Sequence, residues 1–306
     1  MKMNEPKKIL YDHDWGADCD DGGAVAMVVK AHKAGRVKVL GITDCVGNPW
    51  GSYATKAVCE YFGVDDIPVG WHSKSKKMTD ACYWSVTKEP AEKWYEGKEL
   101  PELEDNIRLW RRILAENNKK DITIATTGQL ITVFDVMNSG PDDISPKTGR
   151  ELLIENIKEF AVGGGHFLDW QREMGLREYN FWEDSESSLS IINDYFMPLT
   201  FVGNNVGGPI ISGNRLGDAP DDYPVKLSYW LLTESPAYTR YSWDLAVVFW
   251  AMYGSGGIYD LERNCTITID ADGHTAYASD GGPHSYVKQA ASSELITQMF
   301  DEFLMP

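Results

Sequence analysis

The sequence predicts a single α/β domain spanning residues 1–306, with a mostly parallel open sheet flanked by helices. Three observations predict it. Short apolar or β-branched runs alternate with helical stretches along the first two-thirds of the chain, the pattern that builds a parallel sheet. No internal repeat is visible, and no stretch is rich enough in Pro, Gly or Ser to separate two domains. At 306 residues and 43% hydrophobic content the chain has ample material for a buried core.

Taken in order, Ile9-Leu10-Tyr11 reads as the first strand, short, apolar and followed by acids. Asp20-Asp21 then open a helix, since carboxylates in a first turn complement the helix dipole. Val37-Lys38-Val39-Leu40-Gly41-Ile42-Thr43 is the second strand, residues 52–62 a helix, and Ile67-Pro68-Val69 a third strand. Helices are expected over residues 103–117 and 130–137, on either side of the strand Ile122-Thr123-Ile124-Ala125. The strand Phe160-Ala161-Val162, a helix over 185–195 and the strand Leu199-Thr200-Phe201-Val202-Gly203 follow. In the last third, helices over 225–232 and 243–253 precede a hairpin of residues 265–269 and 275–278 around Asp272-Gly273. A C-terminal helix is expected over 285–304. Residues 71–100 and 163–179 are long connections of the kind that become active-site loops.

Charge excludes several functions. Lys and Arg number 29 against 46 Asp and Glu, a formal charge of -17, so nucleic acid and anionic membranes are poor partners. The five cysteines are scattered without a CxxC, which argues against a disulfide framework or a thiolate metal site and points to a reducing, cytoplasmic location. No signal-peptide stretch or membrane-length apolar window is present in the sequence.

The chemistry concentrates after the first strand. Asp12, Asp14, Asp18, Asp20 and Asp21 fall within ten residues, at the place where open α/β sheets bind ligands. Such a cluster is costly without a compensating cation, and an oxygen-only donor set suits Ca²⁺ or Mg²⁺ rather than zinc. Asp20 and Asp21 have a simpler explanation as helix-start residues, whereas Asp12 and Asp14 end a strand.

The run Ile9-Leu10-Tyr11-Asp12-His13-Asp14-Trp15-Gly16-Ala17-Asp18-Cys19-Asp20-Asp21 resembles the N-terminal signature of the nucleoside hydrolases, the inosine-uridine and purine-preferring superfamily. It is a variant of that signature, with Trp15 where Pro is common and two extra residues before Asp20-Asp21. The resemblance recurs in order over residues 8–254. Gly41-Ile42-Thr43-Asp44-Cys45-Val46-Gly47-Asn48 resembles the second-strand segment, and Thr123-Ile124-Ala125-Thr126-Thr127-Gly128-Gln129-Leu130 the strand whose last carbonyl ligates calcium, with departures at Gln129, Ile131 and Thr132. Val162-Gly163-Gly164-Gly165, Glu178-Tyr179-Asn180 and Ser242-Trp243-Asp244-Leu245-Ala246 resemble three later family segments.

The resemblance implies an N-glycosidase that hydrolyses ribonucleosides to free base and ribose, commonly as a dimer or tetramer. It implies Ca²⁺ held by Asp14, Asp21, Asp244 and the carbonyl of Thr127, with Asp14 as general base. Asp20, Asn48, Glu178 and Asn180 would grip the ribose, and Asp12 would orient the cluster. Trp243 stands where pyrimidine-tolerant members carry a His, which implies base stacking and a purine preference, with Trp84, Tyr83 or Trp71 on the other face. Each residue also has a plain structural explanation: Asn48 and Asn180 suit turns, and Asp244 suits a helix start after Ser242. His13 and His166 are weaker candidates, and His13 points away from its neighbouring aspartates if the strand alternates. Two rivals stand beside this reading, a Mg²⁺-dependent phosphohydrolase of the haloacid dehalogenase type and a non-catalytic binder of ribosyl ligands.

Overall fold

A computed structural model describes residues 5–16, 18–76, 84–193 and 197–306. From the N-terminus the order is β1 (Lys7–His13), α1 (Asp20–Lys33), β2 (Val37–Asp44), α2 (Trp50–Tyr61), β3 (Val69–Trp71) and α3 (Ser85–Trp94). It continues with β4 (Glu104–Asp105), α4 (Asn106–Glu116), β5 (Ile122–Thr126), α5 (Ile131–Asn138), α6 (Gly149–Asn156) and β6 (Ile157–Gly163). Then come α7 (Asp169–Glu173), α8 (Tyr179–Glu183), α9 (Ser185–Asn193), β7 (Thr200–Val202) and α10 (Asn204–Gly207). The rest comprises β8 (Ile211–Ser212), α11 (Pro224–Thr233), β9 (Arg240–Tyr241), α12 (Trp243–Tyr253), β10 (Tyr259–Ile269), β11 (Thr275–Ala278), β12 (His284–Gln289) and α13 (Ser293–Leu304).

Ten strands form one sheet in the order β11-β10-β12-β7-β6-β5-β1-β2-β3-β4, and β8 pairs with β9 apart from it. All neighbours from β12 to β4 are parallel, while β10 runs antiparallel to both β12 and β11. The chain leaves β1 for β2 on one side and returns as β5 on the other, so the strand order reverses at β1. In open α/β sheets ligands bind at such a reversal, here beyond the carboxyl ends of β1 and β5.

Alternation along the strands divides the interior into two layers. Ile9 and Tyr11 of β1 pack with Val25 and Val28 of α1 and Leu245 of α12, whereas Leu10 packs with Leu109 of α4 and Val133 of α5. Having both faces covered explains why the parallel strands read as continuous apolar runs.

The expected single α/β domain with a mostly parallel sheet is what the structure shows. Two local expectations are corrected. The C-terminal helix begins at Ser293, because His284–Gln289 instead form β12, wedged between β7 and β10. The β-branched and aromatic Tyr286-Val287 pair satisfies two neighbouring strands there, a tertiary gain that local helix pattern does not capture. The connection over residues 71–100 contains α3, and α6 is a further helix beyond those expected, started by a capping box of Thr148 and Glu151.

Candidate functional site

Strand β1 delivers the acids in alternation. Asp12 is fully buried and accepts a hydrogen bond from the Thr43 hydroxyl, which itself accepts from Trp110 Nε1 at 2.9 Å. Burial pushes the Asp12 carboxyl up to about 8. His13 faces the other layer, with Nε2 at 3.0 Å from Thr55 Oγ1 and Nδ1 accepting from the Trp15 amide at 3.2 Å. Burial depresses it to about 3, so this imidazole is neutral and structural. Trp15 is also structural rather than part of an open loop. Its ring fills the space over Gly22, where a Cβ would approach to 2.4 Å, and its Nε1 donates to Ser228 Oγ at 3.3 Å.

Asp14 emerges beyond the strand and remains only 7% exposed. Gln129 Nε2 donates to its Oδ2 at 2.7 Å and lies 3.3 Å from Asn180 Oδ1, while Asn180 Nδ2 donates to the Thr127 carbonyl at 2.7 Å. Asp14, Asn180 and Thr127 are thus joined in series through two side-chain amides, those of Gln129 and Asn180. Gly128 permits the approach, since a Cβ there would sit 2.6 Å from Asp14 Cβ. Burial raises the Asp14 carboxyl to about 7, with the charge of Asp18 adding and the Gln129 bond opposing.

Asp20 and Asp21 open α1, and Asp244 opens α12. One carboxylate oxygen from each of these three lies within 4.8 Å of the others. The Asp244 amide donates to Asp20 Oδ2 at 3.1 Å, locking the two helix starts together. Burial raises all three carboxyls well above the usual range, and the charges of neighbouring aspartates, Asp14 among them, add to it. Asp21 Oδ1 is buried with no hydrogen-bond partner. An orphaned carboxylate oxygen among repelling neighbours is an unfavourable arrangement that a hard cation would reverse, so these residues fit a metal ion. The closest grouping contains Asp20, which the resemblance assigns to the sugar, and has Asp14 beside it rather than within it.

The other expected residues are placed as follows. Glu178 caps α8, accepting from the Phe181 amide at 2.8 Å, and its enclosed carboxyl is raised by desolvation to about 8. Gly164, at φ 144°, leaves the room it needs: a Cβ would come 3.0 Å from Glu178 Cδ. Asn48 is half-buried, and its Oδ1 accepts from the Trp50 amide at the start of α2. Trp84 packs over Gly16 against Cys45 and Val46, with its Nε1 unpartnered. Trp243 is half-buried with its Nε1 also unpartnered, and the Tyr241 ring lies 4.8 Å away at 31°. Tyr83 lies outside the described residues. His166 is buried in the loop after β6, and neither of its ring nitrogens has a hydrogen-bond partner among the described residues.

Sequence reasoning missed two participants. Gln129 stood only as a departure from pattern, yet it holds Asp14; its place directly after Thr127-Gly128 was the available signal. Asp18, in the two-residue insertion, pairs with Arg240, which lies 222 positions away and had no local signature.

The family model described as inosine-uridine preferring nucleoside hydrolase matches residues 9–275. The chain belongs to that family. Its members are ribonucleoside hydrolases, which are N-glycosidases, and membership sets aside the phosphohydrolase alternative. Among solved structures, the inosine-uridine preferring nucleoside hydrolase of Bacillus anthracis superposes with TM-score 0.70 at 14% identity, covering 97% of each chain. The purine-preferring ribonucleoside hydrolase of Gardnerella vaginalis gives 0.68 at 12% identity, covering 97% of this chain and 98% of its own. The type III effector XopQ, described in complex with adenosine diphosphate ribose, gives 0.72 at 12% identity, over 99% of this chain and 94% of its own. No curated protein matches the sequence.

Proposed function

We propose that this nucleoside hydrolase cleaves purine ribonucleosides to free base and ribose in a calcium-dependent reaction, with Asp14 as general base. The observation that carries the reading is the meeting of Asp20, Asp21 and Asp244 beside Asp14 at the sheet's reversal point. Asp14, Asp21, Asp244 and the Thr127 carbonyl are the ligand set carried over by resemblance, and Asp20 is close enough to join it. A bound divalent cation would keep these carboxyls ionised and make a neighbouring water more acidic.

Asp14, ionised and held by Gln129, accepts the proton of the water that attacks the anomeric carbon. Asn180, fixed against Thr127, and Glu178, Asn48 and Asp20 hold the ribose hydroxyls. The enclosing carboxylates favour the positive charge that develops on the sugar. Trp243 and Trp84 supply aromatic surface for a purine. A nucleoside panel assayed by release of reducing sugar, with and without chelator, tests the reading; elemental analysis of active protein should find about one calcium per chain. Activity without calcium, or no ribose release from any nucleoside, refutes it.

A second reading, a binder of ribosyl ligands without turnover, is favoured by the bond from Gln129 to Asp14 and by the XopQ complex. It predicts ligand binding with no sugar release. We also infer a cytoplasmic homo-oligomer. Cys19, Cys45, Cys59 and Cys265 are all buried and unpaired, as a reducing compartment allows, and no helix among the described residues is long and apolar enough to cross a membrane. Exposed Trp170, Met174, Tyr179 and Trp182 offer an apolar surface for contact between copies, which light scattering can test.

A further inference from the structure

Arg240 stands at the rim of an otherwise acidic site. It belongs to β9, three residues before Trp243, and is gripped by Asp18 from the insertion. Its Nε lies 2.9 and 3.0 Å from the two Asp18 oxygens, and its Nη2 also donates to Oδ2. The guanidinium carbon lies 5.2 Å from the Trp243 ring centre and 5.6 Å from that of Tyr241. The Arg240 side chain is 32% exposed and that of Asp18 19%, so the pair is partly withdrawn from water. Nη1 has no hydrogen-bond partner among the described residues.

This arrangement has a chemical use that the acidic cluster lacks. Cleavage of an N-glycosidic bond sends its electron pair onto the base nitrogen, so the departing base gains negative charge. The carboxylates around the sugar disfavour such charge, whereas a guanidinium edge stabilises it. The base is the part of a nucleoside that would lie on Trp243, and Arg240 lies against that same ring. Asp18 occupies Nε and Nη2, which fixes the guanidinium and leaves the Nη1 edge for a further acceptor. The pairing lowers the net charge but orients the donor before substrate arrives.

We propose that Arg240 is a specificity-determining residue that stabilises the leaving base, and that Asp18 is the positioning residue that aims it. The inference rests on the hydrolase reading and deepens it. In the reaction the bond between the anomeric carbon and the base nitrogen breaks, its electron pair stays on the base beside Arg240, and water oxygen bonds to the carbon. The water proton passes to Asp14, and the base anion then takes a proton from solvent, giving neutral base and ribose.

The test uses calcium-loaded full-length protein and compares purine ribosides of differing leaving-group pKa, inosine among them, with p-nitrophenyl riboside, whose leaving group needs little help. Arg240→Ala should lower kcat on inosine by about 100-fold, the usual loss for one donor aimed at developing charge, and lower p-nitrophenyl riboside turnover far less. The dependence of rate on leaving-group pKa should steepen accordingly. Arg240→Lys should restore part of the inosine rate, because the charge remains but the oriented fork is lost. Asp18→Ala should steepen the dependence less than Arg240→Ala. Equal losses on all substrates, leaving the slope unchanged, would mean that the pair only ties the insertion to β9 and would overturn the proposal; so would an unchanged inosine rate in Arg240→Ala. Wild-type protein that cleaves neither substrate would overturn the hydrolase reading, and this inference with it.

Discussion

Gly128→Ala tests whether Asp14 acts through its position. A methyl at residue 128 would meet Asp14 Cβ at 2.6 Å, Asp14 Cγ at 2.8 Å and Cys45 Sγ at 2.9 Å, where ordinary contact begins at 3.4 Å. Relieving the closest of these needs about 0.8 Å of movement. Gly128 has no positive φ, so the clash is purely one of side-chain space. Asp14 sits at the end of β1 and moves more readily than the strand that carries Tyr11 and Asp12. A misplacement of about 1 Å in a catalytic group costs about 100-fold in rate, or ~2.7 kcal/mol at the barrier. Overpacking should cost the fold about 1–3 kcal/mol, which thermal unfolding would read separately. The assay is kcat on a purine ribonucleoside with calcium saturating. A variant that is folded and within threefold of wild-type kcat would show that the rate does not depend on where this carboxylate sits, and would remove Asp14 as the base.

Asp14→Ala should reduce kcat by about 10³–10⁴-fold through loss of the base, while Asp18→Ala should do far less; equal losses would mean the cluster has been misread. Trp243→Ala should lower turnover on inosine much more than on p-nitrophenyl riboside, and uridine hydrolysed as well as inosine would argue against purine stacking. Asp142→Asn should destabilise the fold by about 2 kcal/mol, below the usual cost of breaking a buried pair because Asp142 meets water and Arg111 keeps the Ser139 hydroxyl and the Ser145 and Lys147 carbonyls, since it removes the carboxylate that grips the buried guanidinium at 2.7 and 2.8 Å. Arg111 holds the Asp142 carboxyl well below the usual carboxylate range, so the pair's contribution is full above about pH 4 and fades as pH falls toward the folded value; urea midpoints of wild type and variant should therefore converge at low pH.

Sequence alone was enough to determine the class of architecture and to single out the acidic cluster on which the proposed chemistry rests. Covered strands must be apolar on both faces and helices must start with compensating groups, so Val37–Asp44, Ile122–Thr126 and the acids opening α1 are written locally. The opposite facing of His13 and Asp12 follows from the two-residue period of a strand. What tertiary structure decided lies where partners are far apart in the chain. Tyr286-Val287 became strand because two neighbouring strands waited for it. Gln129 reached Asp14 across 115 positions, and Arg240 reached Asp18 across 222. The meeting of Asp20, Asp21 and Asp244 required two helices to start at one point beyond the sheet. Local sequence encodes torsion and burial preference, whereas the distance between two charges is set only when the chain between them has folded.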